Sequence, residues 1–231
     1  MKKVQHPKSK RYKEVELMVE KGKGYKIEEA IELAKKTSST KFDSSIETHF
    51  NLGINPKKSD QLVRNTVVLP NGNGKTIKIA AFTSDATQQK AAKAAGADFV
   101  GDQDLITDIK AGKINFDILV ATPDSMKLLA PIAKILGPKG LMPNPKDGTV
   151  TNNIADAINN LKKGKVSYKN DDSGNIHVMI GKASFETAKL VENFNALLDS
   201  IVKAKPSAAK GSYIKNISIA STMGPGIKVT F

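Results

Sequence analysis

Thr66 to Phe82 reads TVVLPNGNGKTIKIAAF, and the style of the chain changes inside it. Thr66 to Leu69 is a β-branched strand that ends at Pro70. The five residues Pro70 to Gly74, PNGNG, form the strongest breaker in the first half of the sequence. Ile77 to Phe82 is then a continuous apolar strand of the kind buried on both faces. NGNGKT resembles the end of a phosphate-binding loop. That loop needs a glycine at position 69, where Leu69 stands, and a helix after it rather than a strand. Pro70, Asn71 and Gly72 are therefore assigned to a hinge, and the segment marks a domain boundary.

Working back from the boundary, Met1 to Lys10 is a polar, basic arm. Ser9 opens a helix that extends to Gly22, with Tyr12, Val15, Leu17, Met18 and Val19 as its apolar side. A second helix follows from Ile27 to Thr37, and both are read as core cover. Ile46 to Ile54 alternates as a half-buried strand, with Glu47, His49 and Asn51 away from the apolar face.

Working forward, strand and helix patterns alternate. Asp85 caps a helix ending at Gly96, Asp98 to Val100 is a short strand, and Leu105 to Ile109 is helical. Phe116 to Ala121 is a buried strand, Thr122 and Pro123 open a helix bent by Pro131, and Asn152 begins a helix that Gly164 ends. This pattern predicts a small parallel sheet covered on both sides. The earlier style then returns. Val166 to Lys169 and Ile176 to Ile180 are strands joined by a turn at Asn170 to Asn175. Ser184 caps a long helix stopped by Pro206, and Ile214 to Ala220 and Ile227 to Phe231 are strands. The fold class expected is an α+β discontinuous domain, residues 1–72 plus 165–231, carrying an inserted α/β Rossmann-like domain, residues 73–164. Two crossings join them, and Gly164 marks the second hinge.

Within the insert, Gly137 to Val150 (GPKGLMPNPKDGTV) holds three glycines and three prolines, so neither helix nor central strand runs through it. It is a stiff, shaped loop with Lys139, Lys146 and an unsupported Met142, which by residue chemistry reads as a surface connector and, with the resemblance given below, is expected on the side facing the cleft between domains.

Composition narrows the function. The chain has no Cys, so disulfides, thiolate zinc sites and cysteine nucleophiles are excluded. His6 lies in the arm, while His49 and His177 point away from the apolar faces of their strands. Nothing supplies a ligand cluster or a nucleophile at a recognisable spacing, so no catalytic residue, metal or cofactor is assigned. No apolar run is long enough for a membrane helix, and no signal peptide is present; a cytoplasmic location is expected. The net charge of +13 points to a polyanion partner. Residues 1–72 carry +6, 73–164 carry +3 and 165–231 carry +4, which places the polyanion site on the two ends.

Near the end, STMGPG (Ser221 to Gly226) pins Met223 and Thr222 beside a rigid bend. Hydroxyls and soft apolar groups on such an edge suit RNA, with its 2′-hydroxyls and unstacked bases, and they equally suit an ordinary hairpin end with an exposed methionine; the residues alone leave the two even. GPKGLMPNPKDGTV, SDQLVRNTVVLPNGNGK, GKASF and STMGP occur in an order that resembles the large-subunit ribosomal protein L-one family of bacterial or organellar type. The resemblance runs from Arg11 to Val229. It implies a protein with two domains on two hinges, monomeric when free and lodged in the ribosome of the cytoplasm, or of an organelle stroma or matrix. It also implies binding to the base of a mobile stalk of large-subunit ribosomal RNA, close to where exit-site tRNA leaves, and repression of its own mRNA. Carried over by motif, the RNA-binding residues would be Lys41, Phe42, Ser45, Glu47, Lys169, Asn216, Thr222, Met223 and Gly224. Glu47 would accept a hydrogen bond from an RNA hydroxyl or base amine. Gly226 stands where the family usually has serine, and Lys26 where it has a Ser or Thr helix cap.

Overall fold

In the computed structural model, which describes residues 8–20 and 22–230, the chain forms two units of mixed α/β structure. One is Met1–Gly74 with Tyr168–Phe231; the other is Lys75–Ser167. Most of the N-terminal arm, with His6, lies outside the described residues.

The first unit begins with α1 (Lys10–Glu16), where the Ser9 hydroxyl accepts the Tyr12 N–H as a cap. The helix stops at Leu17, well before Gly22, because Met18 and Val19 bond three residues back and tighten the chain into turns. Only Val15 of α1 is buried, and Leu17 is 87% exposed, so α1 is not the core cover that its spacing suggested. The core is covered instead by α2 (Ile27–Lys36), which buries Ala30, Ile31 and Ala34. After it come β1 (Ser45–Leu52) and β2 (Arg64–Val68).

The second unit contains β3 (Ile79–Phe82), α3 (Ala86–Ala94), β4 (Phe99–Gly101), α4 (Gln103–Lys110) and β5 (Ile118–Ala121). Then come α5 (Met126–Leu129), α6 (Ala133–Leu136) and α7 (Ile154–Lys162). Its sheet is parallel, in the order β4-β3-β5. Alternate residues of β3 feed opposite faces: Ala80 and Phe82 join Leu129, Ile132 and Leu136, whereas Ile79 and Ala81 join Ile154, Ile158 and Leu161. Helices therefore cover both faces, as apolar strands between helices require. Pro131 sits in a 3-10 turn that separates α5 from α6. The helix that Thr122 and Pro123 were expected to open starts only at Met126. The Thr122 hydroxyl bonds Ser125 within the preceding turn. The cap of α7 is Asn153 rather than Asn152.

The chain returns through β6 (Lys165–Lys169), β7 (Asn175–Lys182), α8 (Thr187–Lys203), β8 (Ile214–Ser221) and β9 (Ile227–Val229). β6 and β7 are joined by a turn but do not pair with each other. β6 pairs with β2 in a two-stranded ribbon, and β7 joins an antiparallel sheet in the order β7-β1-β8-β9. One face of this sheet is apolar and is packed by α2 and α8, with Phe50 stacked on Phe194 at 6.0 Å between ring centres. Ser184 does not cap α8. Its hydroxyl and N–H both bond the Asp43 carboxylate, and Glu186 occupies the cap position. Asn193, fully buried on α8, donates to the carbonyls of Gly72 and Ile180 and accepts the Asn71 N–H. The expected hinge residues Asn71 and Gly72 are thereby fastened to the first unit.

Candidate nucleic-acid interface

The second face of the four-stranded sheet is open, and register decides which side chains share it. β1 alternates buried Ile46, Thr48, Phe50 and Leu52 with Ser45, Glu47, His49 and Asn51. Pairing places Glu47 between Ala220 and Met179, His49 between Ser218 and His177, and Asn51 between Asn216 and Asn175. Ser45 faces Lys182, and its backbone meets Thr222 on the other side. The face is thus a set of rows rich in hydroxyls, amides and imidazoles. Asn51 donates to Asn175 at 2.7 Å, whereas the buried Asn216 Oδ1 has no hydrogen-bond partner among the described residues.

Three loops converge at one end of this face, because β1 starts where β7 and β8 finish. The loop before β1 carries Lys41 and Phe42, both exposed, with Phe42 at 58%. It is held down by the Thr40 hydroxyl on the Phe42 carbonyl and by Asp43 on Ser184. Lys182 Nζ lies 3.3 Å from both the Asp43 carbonyl and Ser45 Oγ. From the loop after β8, the Thr222 hydroxyl accepts the Ser45 N–H at 3.0 Å and donates to the Ser45 carbonyl at 3.2 Å. Its donor is therefore used in closing the β1–β8 ladder, so Thr222 shapes this end of the sheet.

Met223 is the only non-glycine residue with positive φ among those described, at 64°, and its side chain is 65% exposed. Holding a methionine in the left-handed region costs about 1–2 kcal/mol, and here no core burial compensates. Arg11 donates to the Met223 carbonyl at 3.2 Å and to Ser39 Oγ at 2.7 Å, tying two of the loops together. Gly224 follows in a turn so close that an added methyl would collide with Ser221 Oγ. A Met223→Gly variant is expected to unfold at higher urea, with a gain of about 1 kcal/mol, because glycine adopts this backbone without strain. A drop in the unfolding midpoint would show that the methionine side chain supports the fold.

The structure thus gathers Lys41, Phe42, Ser45, Glu47, Asn216, Thr222, Met223 and Gly224 on one face and its end. It does not bring Lys169 there, since Lys169 is exposed on β6 in the separate ribbon. Reasoning from sequence missed Arg11, Lys182 and the histidine pair. His49 Nδ1 lies 2.8 Å from His177 Nδ1, and His177 Nε2 is 3.5 Å from Asp171 Oδ2. Burial pushes His49 below the usual imidazole range, the His177 ring pushes the same way, and Glu47 opposes them. The Asp171 carboxyl is held down at about 2, first by the Asn175 backbone N–H and also by the Asn175 side chain, the Ser173 N–H and His177.

In the second unit, Met142 is not unsupported: with Leu141 it packs on the core beneath α5 and α6. Lys139 and Lys146 are exposed. The loop is stitched to β5, because Ala121 donates to the Thr149 carbonyl and accepts from Thr151, while Asn144 caps the turn at Lys146. Among the described residues no group of three or more His, Asp or Glu side chains is arranged to hold a metal ion, and no helix is long and apolar enough to cross a membrane.

A model of the ribosomal protein L1p/L10e family matches residues 34–225. The chain belongs to that family. The large ribosomal subunit protein uL1 of Neisseria meningitidis serogroup C (strain 053442) is 55% identical over 221 residues, covering 96% of this chain and 95% of that protein. The uL1 protein of Neisseria gonorrhoeae (strain NCCP11945) is 54% identical over the same shares. Family membership accounts for the order of the motifs along the chain. The matched region includes every residue placed on the open sheet face except those of β9.

Proposed function

We propose that the open face of the β7-β1-β8-β9 sheet, with the loops at its Ser45 end, holds a folded segment of large-subunit ribosomal RNA. As a member of a family of large-subunit ribosomal proteins, the chain is a structural constituent of that subunit rather than an enzyme. The observation that carries the RNA reading is Met223, an exposed methionine kept in a strained backbone after β8, with a second exposed apolar side chain, Phe42, on the loop before β1. Such apolar groups offer platforms for unstacked bases, and the hydroxyl and amide rows offer partners for 2′-hydroxyls and base edges. Glu47, set between Ala220 and Met179, serves as an acceptor for a base amine or a hydroxyl. Lys41 and Lys182 supply the phosphate contacts that fix register, and Lys169 supplies one from the ribbon.

The segment bound is the stalk of that RNA, and by holding it the protein assists departure of exit-site tRNA; the same face takes a mimic of the site in its own mRNA. The chain crosses between units at Gly74–Lys75 and Ser167–Tyr168. Movement is assigned to the Gly74–Lys75 crossing, beyond the fastened Asn71 and Gly72, and to Gly164 between α7 and β6, and the exposed Lys139 and Lys146 are assigned to RNA.

Salt dependence separates the two kinds of contact. Lys41→Ala is expected to lower the slope of log affinity against log salt by about 0.7 to 0.9, as loss of one phosphate contact requires. Met223→Ala is expected to weaken binding to a stalk fragment by about 1–3 kcal/mol with the slope unchanged. Filter-binding titrations of both variants at several salt concentrations check this division, and equal slopes would contradict it.

A further inference from the structure

The RNA reading leaves the histidine pair in the middle of the sheet unassigned, and the geometry of that pair fixes where its protons sit. At 2.8 Å, one Nδ1 donates and the other accepts. The Asp171 carboxylate, held ionised by its backbone and side-chain donors, lies 3.5 Å from His177 Nε2, and a proton on that nitrogen faces the anion. His177 Nδ1 is then the acceptor and His49 Nδ1–H the donor. This chain of contacts leaves the lone pair of His49 on Nε2, an atom with no hydrogen bond to another described residue. Adding a proton there converts an acceptor into a cationic donor without breaking the His49–His177–Asp171 chain.

We infer that His49 is a proton-linked contact for an RNA phosphodiester, so that binding at this face takes up one proton from solvent at His49 Nε2. The inference rests on the RNA reading above. The charged groups around the pair are few. Glu47 lies one row along β1, Asp171 precedes β7, and Lys228 of β9 pairs with Ser218 at the far side of the same row. The facing residues of β7 and β8, Met179, Asn175, Ser218 and Asn216, carry no charge. In the free protein burial and the neighbouring ring favour the neutral form of His49. A phosphodiester at Nε2 favours the imidazolium, so the bound form takes up its proton at higher pH than the free form. Affinity therefore rises as pH falls through the bound value and levels off below the free value, which burial holds beneath the usual imidazole range.

The test uses the full chain and a stalk fragment of large-subunit ribosomal RNA, titrated at fixed salt between pH 5 and 7.5. Wild-type affinity is expected to rise about tenfold across that window, corresponding to a shift of one pKa unit, while His49→Gln stays flat. Proton NMR of the imidazole signals in the wild-type protein reads the same event directly, and the His49 midpoint should move up when RNA is added. Superimposable pH profiles for wild type and His49→Gln, or a midpoint unmoved by RNA, would overturn the proton linkage while leaving binding intact. Absence of wild-type binding at every pH would instead remove the RNA reading and this inference with it.

Discussion

Asn193→Ala is expected to lower the unfolding free energy by about 3–5 kcal/mol, which places it among the most damaging single substitutions in the chain. The side chain is fully buried and uses its whole amide: two donors on the Gly72 and Ile180 carbonyls at 2.8 Å each, and its oxygen on the Asn71 N–H at 3.0 Å. Truncation leaves the buried Ile180 carbonyl and the part-buried Gly72 carbonyl and Asn71 N–H without this partner, at about 1–3 kcal/mol for a fully buried group and less for the other two, and the side-chain packing of a buried residue is lost with them. Asn71 has its own bonds to Glu192 and the Lys189 carbonyl, so the PNG segment would loosen rather than detach. Urea unfolding followed by circular dichroism checks the figure. A loss below about 1 kcal/mol would show that the segment is not fastened through Asn193.

The second large effect concerns binding. Replacing Phe42 and Met223 together by alanine is expected to reduce affinity for a stalk fragment on the order of 100-fold or more. A base stacked on the Phe42 ring contributes about 1–3 kcal/mol, and a base packed over Met223 buries a side chain worth about 1.5–3 kcal/mol when fully covered. Stability should change little, because these side chains are 58% and 65% exposed and stand outside the core. The salt slope should also hold, since neither residue meets phosphate. Unchanged affinity would remove the observation on which the functional proposal stands.

Much of this architecture is legible in the residues themselves. The alternation of β1 predicts both its buried face and the outward aim of Glu47, His49 and Asn51. Apolar strands between helices predict the parallel sheet of the second unit with cover on both faces. What eludes the sequence is chiefly the choice of distant partner. Asn170 to Asn175 has the chemistry of a hairpin turn, yet the strands it joins belong to different sheets, because pairing is decided by long-range packing. Ser184 has the residue type of a helix cap, but the Asp43 carboxylate claims it. Leu17 and Met18 follow helical spacing, and only the tertiary structure reveals that both stay exposed among the described residues.

The candidate site divides the same way. Phe42, Thr222, Met223 and Gly224 are found through their motifs, whereas Lys169 is drawn to the face by a strand that pairs elsewhere. His49 and His177 are legible as polar surface histidines, 128 positions apart, but the register that sets their Nδ1 atoms 2.8 Å apart is not. The Thr222 hydroxyl reads as a free donor until the Ser45 backbone is seen beside it.

Photo-cross-linking of the full protein to large-subunit ribosomal RNA, with the attached peptides identified by mass spectrometry, tests the central proposal most directly. The open sheet face and its loops predict cross-links in residues 38–49, 175–186 and 214–228, with Phe42 and Met223 among the attached side chains. Cross-links confined to residues 75–167 would contradict it.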